Sequence, residues 1–129
     1  MYRFEHEEPG ILAVTIWGFW ADADADAYLA EMRERTTALR RSQGYALVLV
    51  DGRETAVQSA AVMAKVAGIE EILIRNERDR AACVVANSLS KMQAQRLSTT
   101  EQLKVFLSPG AARTWLLAYH VEEPGRWSQ

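Results

Sequence analysis

Few residues in this 129-residue chain have the type and spacing to do chemistry. His6 and His120 lie in different terminal segments with no Cys or His at ligand spacing, so the pattern offers no metal site. Asp22, Asp24 and Asp26 alternate as in a calcium loop, but the glycine and closing glutamate of such a loop are missing. Acids ahead of an amphipathic run instead suit a helix N-terminus, where a carboxylate caps free N–H groups and opposes the helix dipole. Gly18, Gly44, Gly52 and Gly68 form no phosphate-cradling motif. No nucleophile–base pair can be assembled, so the expectation is a non-enzymatic protein with no catalytic residues and no cofactor.

Three polar features carry two readings each. Ser59 near a helix start is a candidate phosphorylation site, since added phosphate would meet favourable backbone dipoles; it equally suits an exposed helix edge. Asp51 ends an apolar strand, where α/β folds place functional groups and where turn residues also sit. Arg75, Arg78 and Arg80 could hold an anionic lipid head, but Glu77 and Asp79 between them fit a solvated charge run.

The more informative feature is apolar. Residues 54–67 read as a helix carrying Ala56, Val57, Ala60, Ala61, Val62, Met63, Ala64, Val66 and Ala67, with Gln58, Ser59 and Lys65 as its main polar side chains. A helix that apolar must be covered. If a second subunit covers it, Val62 and Met63 form a partner surface and the protein is a homodimer. If the cover is incomplete, the gap is a hydrophobic pocket. Trp17-Gly18-Phe19-Trp20 sets three aromatic residues near the start of this helix. Together with Asp51, Arg53 and Ser59 at its border, they would form an apolar cleft for a small lipid or other hydrophobic ligand.

These residues are positioned by elements that the pattern makes legible. Tyr45-Ala-Leu-Val-Leu-Val-Asp51-Gly52 is an unbroken apolar run, so 45–50 reads as a central strand covered on both faces, with 81–86 beside it. Segments 2–7 and 11–17 form a hairpin around Pro9-Gly10. The first helix runs from the three acids to Arg40-Arg41 and buries Ala25, Tyr28, Leu29, Met32, Thr36 and Leu39. Gly68 kinks or ends the apolar helix, which continues through 69–75. Asn87-Ser88 caps a third helix holding Leu89, Met92 and Leu97, and 103–107 is the last strand. Ser108-Pro109 opens a final helix with Ala112, Trp115, Leu116 and Tyr119 as its core stripe. The order β-β-α-β-α-β-α-β-α predicts an α/β single domain over 1–120, built on a mostly parallel mixed sheet, with a polar tail over 121–129.

Composition narrows the classes. A chain of 129 residues buries roughly two-thirds of its unfolded surface. A net charge of −2 and a pI near 5.7 give no reason to expect nucleic-acid binding. One cysteine, Cys83, excludes an internal disulfide, reads as a small buried hydrophobe in its apolar run, and fits a reducing cytoplasm. No segment approaches the ~20 apolar residues of a transmembrane helix.

With that order in place, several segments resemble the SpoIIAA-like branch of the STAS superfamily, the STAS/SEC14 group. They are Gly10-Ile-Leu-Ala-Val-Thr-Ile-Trp-Gly18, the acidic helix start with Tyr28, Leu47-Val-Leu-Val-Asp51, Arg80-Ala-Ala-Cys-Val-Val, and Val105-Phe106-Leu-Ser-Pro-Gly-Ala111-Ala-Arg-Thr-Trp115-Leu116. The resemblance implies a STAS-like α/β fold and a bacterial protein that binds a partner, in the manner of anti-sigma-factor antagonists. The SEC14 comparison implies the alternative, a carrier or sensor for a small lipid. In the antagonists a serine after the strand is phosphorylated. Ser59 is the matching position, preceded by Gln58 where that pattern has aspartate, and no Ser-Gly-Leu run follows.

Overall fold

Five strands form one sheet in the order β1-β2-β3-β4-β5. The architecture comes from a computed structural model that describes residues 1–56, 58–97 and 100–121. β1 (Tyr2–Glu7) pairs antiparallel with β2 (Ile11–Gly18), closing where the Gly10 N–H donates to the Glu7 carbonyl at 3.0 Å. β3 (Leu47–Thr55), β4 (Arg80–Val84) and β5 (Leu103–Phe106) follow in parallel. Sheet order thus follows chain order, and right-handed crossovers put consecutive helices on one face. α1 (Asp22–Gln43), α2 (Ala60–Val66), α3 (Ile69–Leu73) and α4 (Ser88–Leu97) lie there. α5 (Pro109–Val121) returns across the other face. This is the expected mixed, mostly parallel α/β sheet, with β3 at its centre.

Strand alternation divides the core. Leu12, Val14, Val48, Val50 and Ala81 pack under α1, α2 and α3, while Ile11, Leu47, Leu49, Ala82 and Val84 pack under Ala112 and Leu116 of α5. On α1, Ala25, Tyr28, Met32, Thr36 and Leu39 are buried, and Leu29 is half-buried. Its start is secured by Asp24, whose carboxylate accepts the Ala21 N–H at 2.8 Å. It ends at Gly44, whose φ of 89° lies in the left-handed region that favours glycine. Ser108 caps α5, its hydroxyl accepting from the Ala111 N–H at 3.3 Å.

The structure corrects several boundaries. The central strand begins at Leu47 instead of residue 45 and continues to Thr55, so Glu54, Thr55, Ala56, Gln58 and Ser59 are not helical and the described apolar helix is only the seven residues of α2. The ladder carries on because β2 shifts register between Thr15 and Trp17, pairing Trp17 with Glu54 and Gly18 with Thr55. Ser59 then holds an extended backbone and its hydroxyl accepts the Val62 N–H at 3.2 Å, which caps α2. A break at Ala67-Gly68 separates α3, which stops at Leu73 instead of residue 75. β5 ends one residue early, at Phe106, and Leu89 and Met92 of α4 point to solvent at 65% and 53% exposure. α5 extends to Val121, while the rest of the expected tail, 122–129, lies outside the described residues. So do Val57 and the side chains of Leu97, Tyr119 and His120.

Candidate functional site

An apolar cleft of about 510 Å³ opens between α2 and α3 on one side and α4 on the other. Its floor is Val50 and Gly52 of β3 with Cys83 and the main chain at Val84 of β4, whose side chain packs under α5. Its walls are Val62, Met63 and Val66 of α2, Ile69 and Leu73 of α3, and Ser90, Gln93 and Ala94 of α4. The cleft exists for local reasons. α2 is short, α4 contributes small and polar side chains where it faces α2, and Gly52 adds no side chain to the floor. Its place is the carboxyl end of the central strands, where open α/β sheets bind ligands.

Gly18 ends β2 with φ at 79°, a left-handed conformation that separates the two aromatic residues after it. Phe19 is 60% exposed, while Trp20 turns inward to 3%. Trp20 is fixed at two points: its indole Nε1–H donates to the Trp17 carbonyl at 2.9 Å, and its backbone N–H donates to Gln58 Oε1 at 2.8 Å. Gln58 completes the latch by donating through Nε2 to the carbonyls of Gly18 at 2.7 Å and Ala56 at 2.8 Å. One amide therefore ties the segment leading into α1 to the segment leading into α2, at the wall of the cleft.

Among the described residues, no Asp, Glu, Lys, Arg or His side chain lines this space. Tyr28, 1% exposed, packs edge-to-face on Trp20 at 5.0 Å between ring centroids and also lines the cleft. Its hydroxyl makes no hydrogen bond to a described residue. Burial first, and the nearby Cys83 second, push the Tyr28 phenol up. Burial also pushes the Cys83 thiol up to about 11. Both groups stay neutral at physiological pH, and the Tyr28 hydroxyl is a donor awaiting an acceptor. Among the described residues no group of three or more His, Cys, Asp or Glu side chains comes together to hold a metal ion.

Of the residues singled out in the sequence, Trp20, Val62 and Met63 line the cleft. Val62 is 1% exposed and belongs to the chain's own core, whereas Met63 is 46% exposed at the rim. Trp17 is half-buried and touches the site only through its carbonyl. Asp51 continues the alternation of Leu47 and Leu49, so it lies on the α5 face, away from the cleft. There Arg53 grips it, with Nη2 to Oδ2 at 2.8 Å and Nε to Oδ1 at 3.0 Å. That hydrogen bonding holds the Asp51 carboxyl below its usual range and raises Arg53. Ser59 is exposed at the α2 cap. The sequence pattern does not mark Gln58, Tyr28, Cys83 or the α4 residues as site residues. Gln58 had one signal, being the only long polar side chain between Ala56 and Met63.

The same architecture recurs in solved structures. An uncharacterized protein of the DUF3478 family with a SpoIIAA-like fold, from Shewanella loihica PV-4, superposes with a TM-score of 0.61 at 18% identity, covering 90% of this chain and 92% of that one. The anti-sigma factor antagonist SpoIIAA in its unphosphorylated form gives a TM-score of 0.63 at 8% identity, covering 92% and 98%. No protein-family model matches the sequence, and neither does any curated protein. The chain thus has a STAS/SpoIIAA-like fold, as its segments implied. No helix among the described residues is long and apolar enough to cross a membrane.

Proposed function

We propose that this protein is a non-enzymatic, STAS-type binding module that holds a small, uncharged hydrophobic molecule in the cleft between α2, α3 and α4. The observation that carries the reading is the cleft itself: about 510 Å³, apolar, and lined by no charged side chain among the described residues. That volume falls in the range of small-molecule sites, which are mostly apolar with a few polar groups fixing orientation. Here the Tyr28 hydroxyl, Gln58, Ser90 and Gln93 are those groups. A carboxylate drawn inside would lose its hydration with no cation to compensate, so the ligand is an alcohol, ketone, ester or similar neutral molecule. Displacement of a bound uncharged fluorescent dye tests this. 1-Decanol should displace the dye at concentrations at least about tenfold below those required of decanoate at pH 8. No saturable dye binding, or equal displacement by the two, rejects the reading.

A second reading is favoured by a different observation. Met63, Leu89 and Met92 are exposed, large and apolar, and they would suit a protein partner or a second copy of the chain. In that case light scattering reports a mass near twice 14.5 kDa, and Met63→Glu lowers it while leaving the fold intact. If the partner is of the anti-sigma kind and Ser59 is its phosphorylation switch, Ser59→Glu abolishes partner binding.

A further inference from the structure

At the far end of α1 from the apolar cleft lies a second cavity of different chemistry. It measures about 460 Å³ and is lined by Arg33, Thr36, Thr37, Arg40, Arg41, Ile72 and Arg75. Of its seven described lining residues, four are arginines and none is an acid. This concentration of positive charge stands out in a chain whose net charge is −2.

The cluster is built. Asp79, fully buried, organises it by accepting Arg40 Nε at 2.9 Å and the backbone N–H groups of Arg75 at 2.8 Å and Asn76 at 3.1 Å on one carboxylate oxygen, while the other accepts the Ala46 N–H at 2.8 Å. Arg40 Nη2 also donates to the Ile72 and Leu73 carbonyls that end α3, at 2.8 and 3.0 Å. Arg40 therefore spends its charge on Asp79, holds its plane fixed, and leaves Nη1 without a partner among the described residues. Arg33, Arg41 and Arg75 form no ion pair with any described residue. Elsewhere on α1 the arrangement is the reverse, since Arg35 is paired with Glu31 at 2.7 Å. Thr36 is committed to the Met32 carbonyl at 2.8 Å, but the Thr37 hydroxyl has no partner among the described residues. Arg33, Thr37 and Arg41 recur every fourth residue, so α1 presents them on one face.

We propose that this cavity between α1 and α3 binds a phosphate monoester. Unpaired guanidinium groups converging with a pre-oriented one match the planar, bidentate recognition of phosphate oxygens, and the Thr37 hydroxyl adds a further donor. The volume exceeds that of a bare anion, and Ile72 offers an apolar patch for the organic part. The phosphate comes either from a soluble phosphorylated small molecule or from the phosphorylated headgroup of a lipid.

Two probes separate these sources, both in 150 mM salt, where weak surface pairing is screened. Pyrophosphate is titrated into isotopically labelled protein and followed by amide NMR. Vesicles of phosphatidylcholine containing phosphatidylinositol 4-phosphate are tested by co-sedimentation against phosphatidylcholine alone. Saturable shifts at Thr37, Arg41 and Arg75 place a soluble ligand there, and vesicle binding without pyrophosphate binding places a headgroup there. In either case Arg33→Gln with Arg75→Gln should weaken binding at least about tenfold at an unchanged melting temperature. Should that double variant fail to fold, Arg41→Gln alone gives the same direction of effect. Absence of saturable binding in both arms, or binding that these substitutions leave untouched, overturns the proposal.

Discussion

Replacing Gln58 by leucine tests the latch at the wall of the apolar cleft. The side chain keeps its approximate bulk and loses three hydrogen bonds, those to the Trp20 N–H, the Gly18 carbonyl and the Ala56 carbonyl. These losses are unequal. Ala56 is exposed, so water replaces its donor, and the Gly18 carbonyl keeps the Ala56 N–H at 3.2 Å. The Trp20 N–H belongs to a residue 3% exposed and donates to no other acceptor among the described residues. Leaving a buried donor unsatisfied costs about 1–3 kcal/mol, and that single group sets the expected loss. For a domain of this size the melting temperature should fall by roughly 3–15 °C. Gln58→Glu separates hydrogen bonding from bulk. Its carboxylate still accepts from Trp20 but faces two carbonyl oxygens, which favours its protonated form in the folded state. A carboxyl held protonated by the fold makes stability fall as pH rises from 4 towards 7 relative to the parent protein. Calorimetry across that range reads both effects. A Gln58→Leu melting temperature within about 1 °C of the parent would refute the latch.

Leu73, fully buried between the core and the cleft, should cost about 2–5 kcal/mol as Leu73→Ala in denaturant unfolding, at the high end if the enlarged cleft does not collapse. Glu7 is hydrogen-bonded by Arg113 through both carboxylate oxygens at 2.9 Å, which holds its carboxyl below the ordinary 4.5. Its folded value is depressed, so the contribution is present above about pH 4.5 and lost as pH falls through the folded value. Because the pair is partly exposed, that contribution is under about 1 kcal/mol, and Arg113→Met should flatten the acid side of the stability profile. The Cys83 thiol, raised from 9.0 to about 11, has roughly a hundredfold less thiolate at pH 8 than a free cysteine, so its reaction with a disulfide reagent should be slow until the chain unfolds.

The sheet was legible because its signals are local. Unbroken apolar runs at 45–50 and 81–86 mark β3 and β4 as strands covered on both faces, although β3 begins at Leu47 and β4 ends at Val84; the acids in the first turn of α1, and Ser108 before Pro109 of α5, mark helix starts by capping chemistry. The α2 boundary was not. Glu54 and Thr55 join β3 because the register shift in β2 offers them partners, a pairing decided forty residues away in sequence. That extension also misdirected the site. Asp51 and Arg53 look adjacent to an apolar helix in the sequence, but strand alternation turns Asp51 to the α5 face. The cleft itself depends on the spacing between α4 and α2, which no periodicity encodes. Tyr28 and Cys83 read as plain core because only the fold shows that they border empty space. The arginine cavity was hidden for a related reason. Arg40 and Arg41 satisfy the helix dipole in sequence, and only the placement of α3 brings Arg75 to them.

The central claim, an apolar cleft that accepts a neutral ligand, is tested most directly by methyl NMR. Protein with labelled Ile, Leu and Val methyl groups is titrated with 1-decanol. Val62, Ile69 and Leu73 should shift saturably, while Leu12 and Leu47, buried away from the cleft, should not. Ala94→Phe, which fills the α4 wall, should abolish those shifts without lowering the melting temperature. Absence of saturation, or shifts that spare Val62, Ile69 and Leu73, would contradict the account.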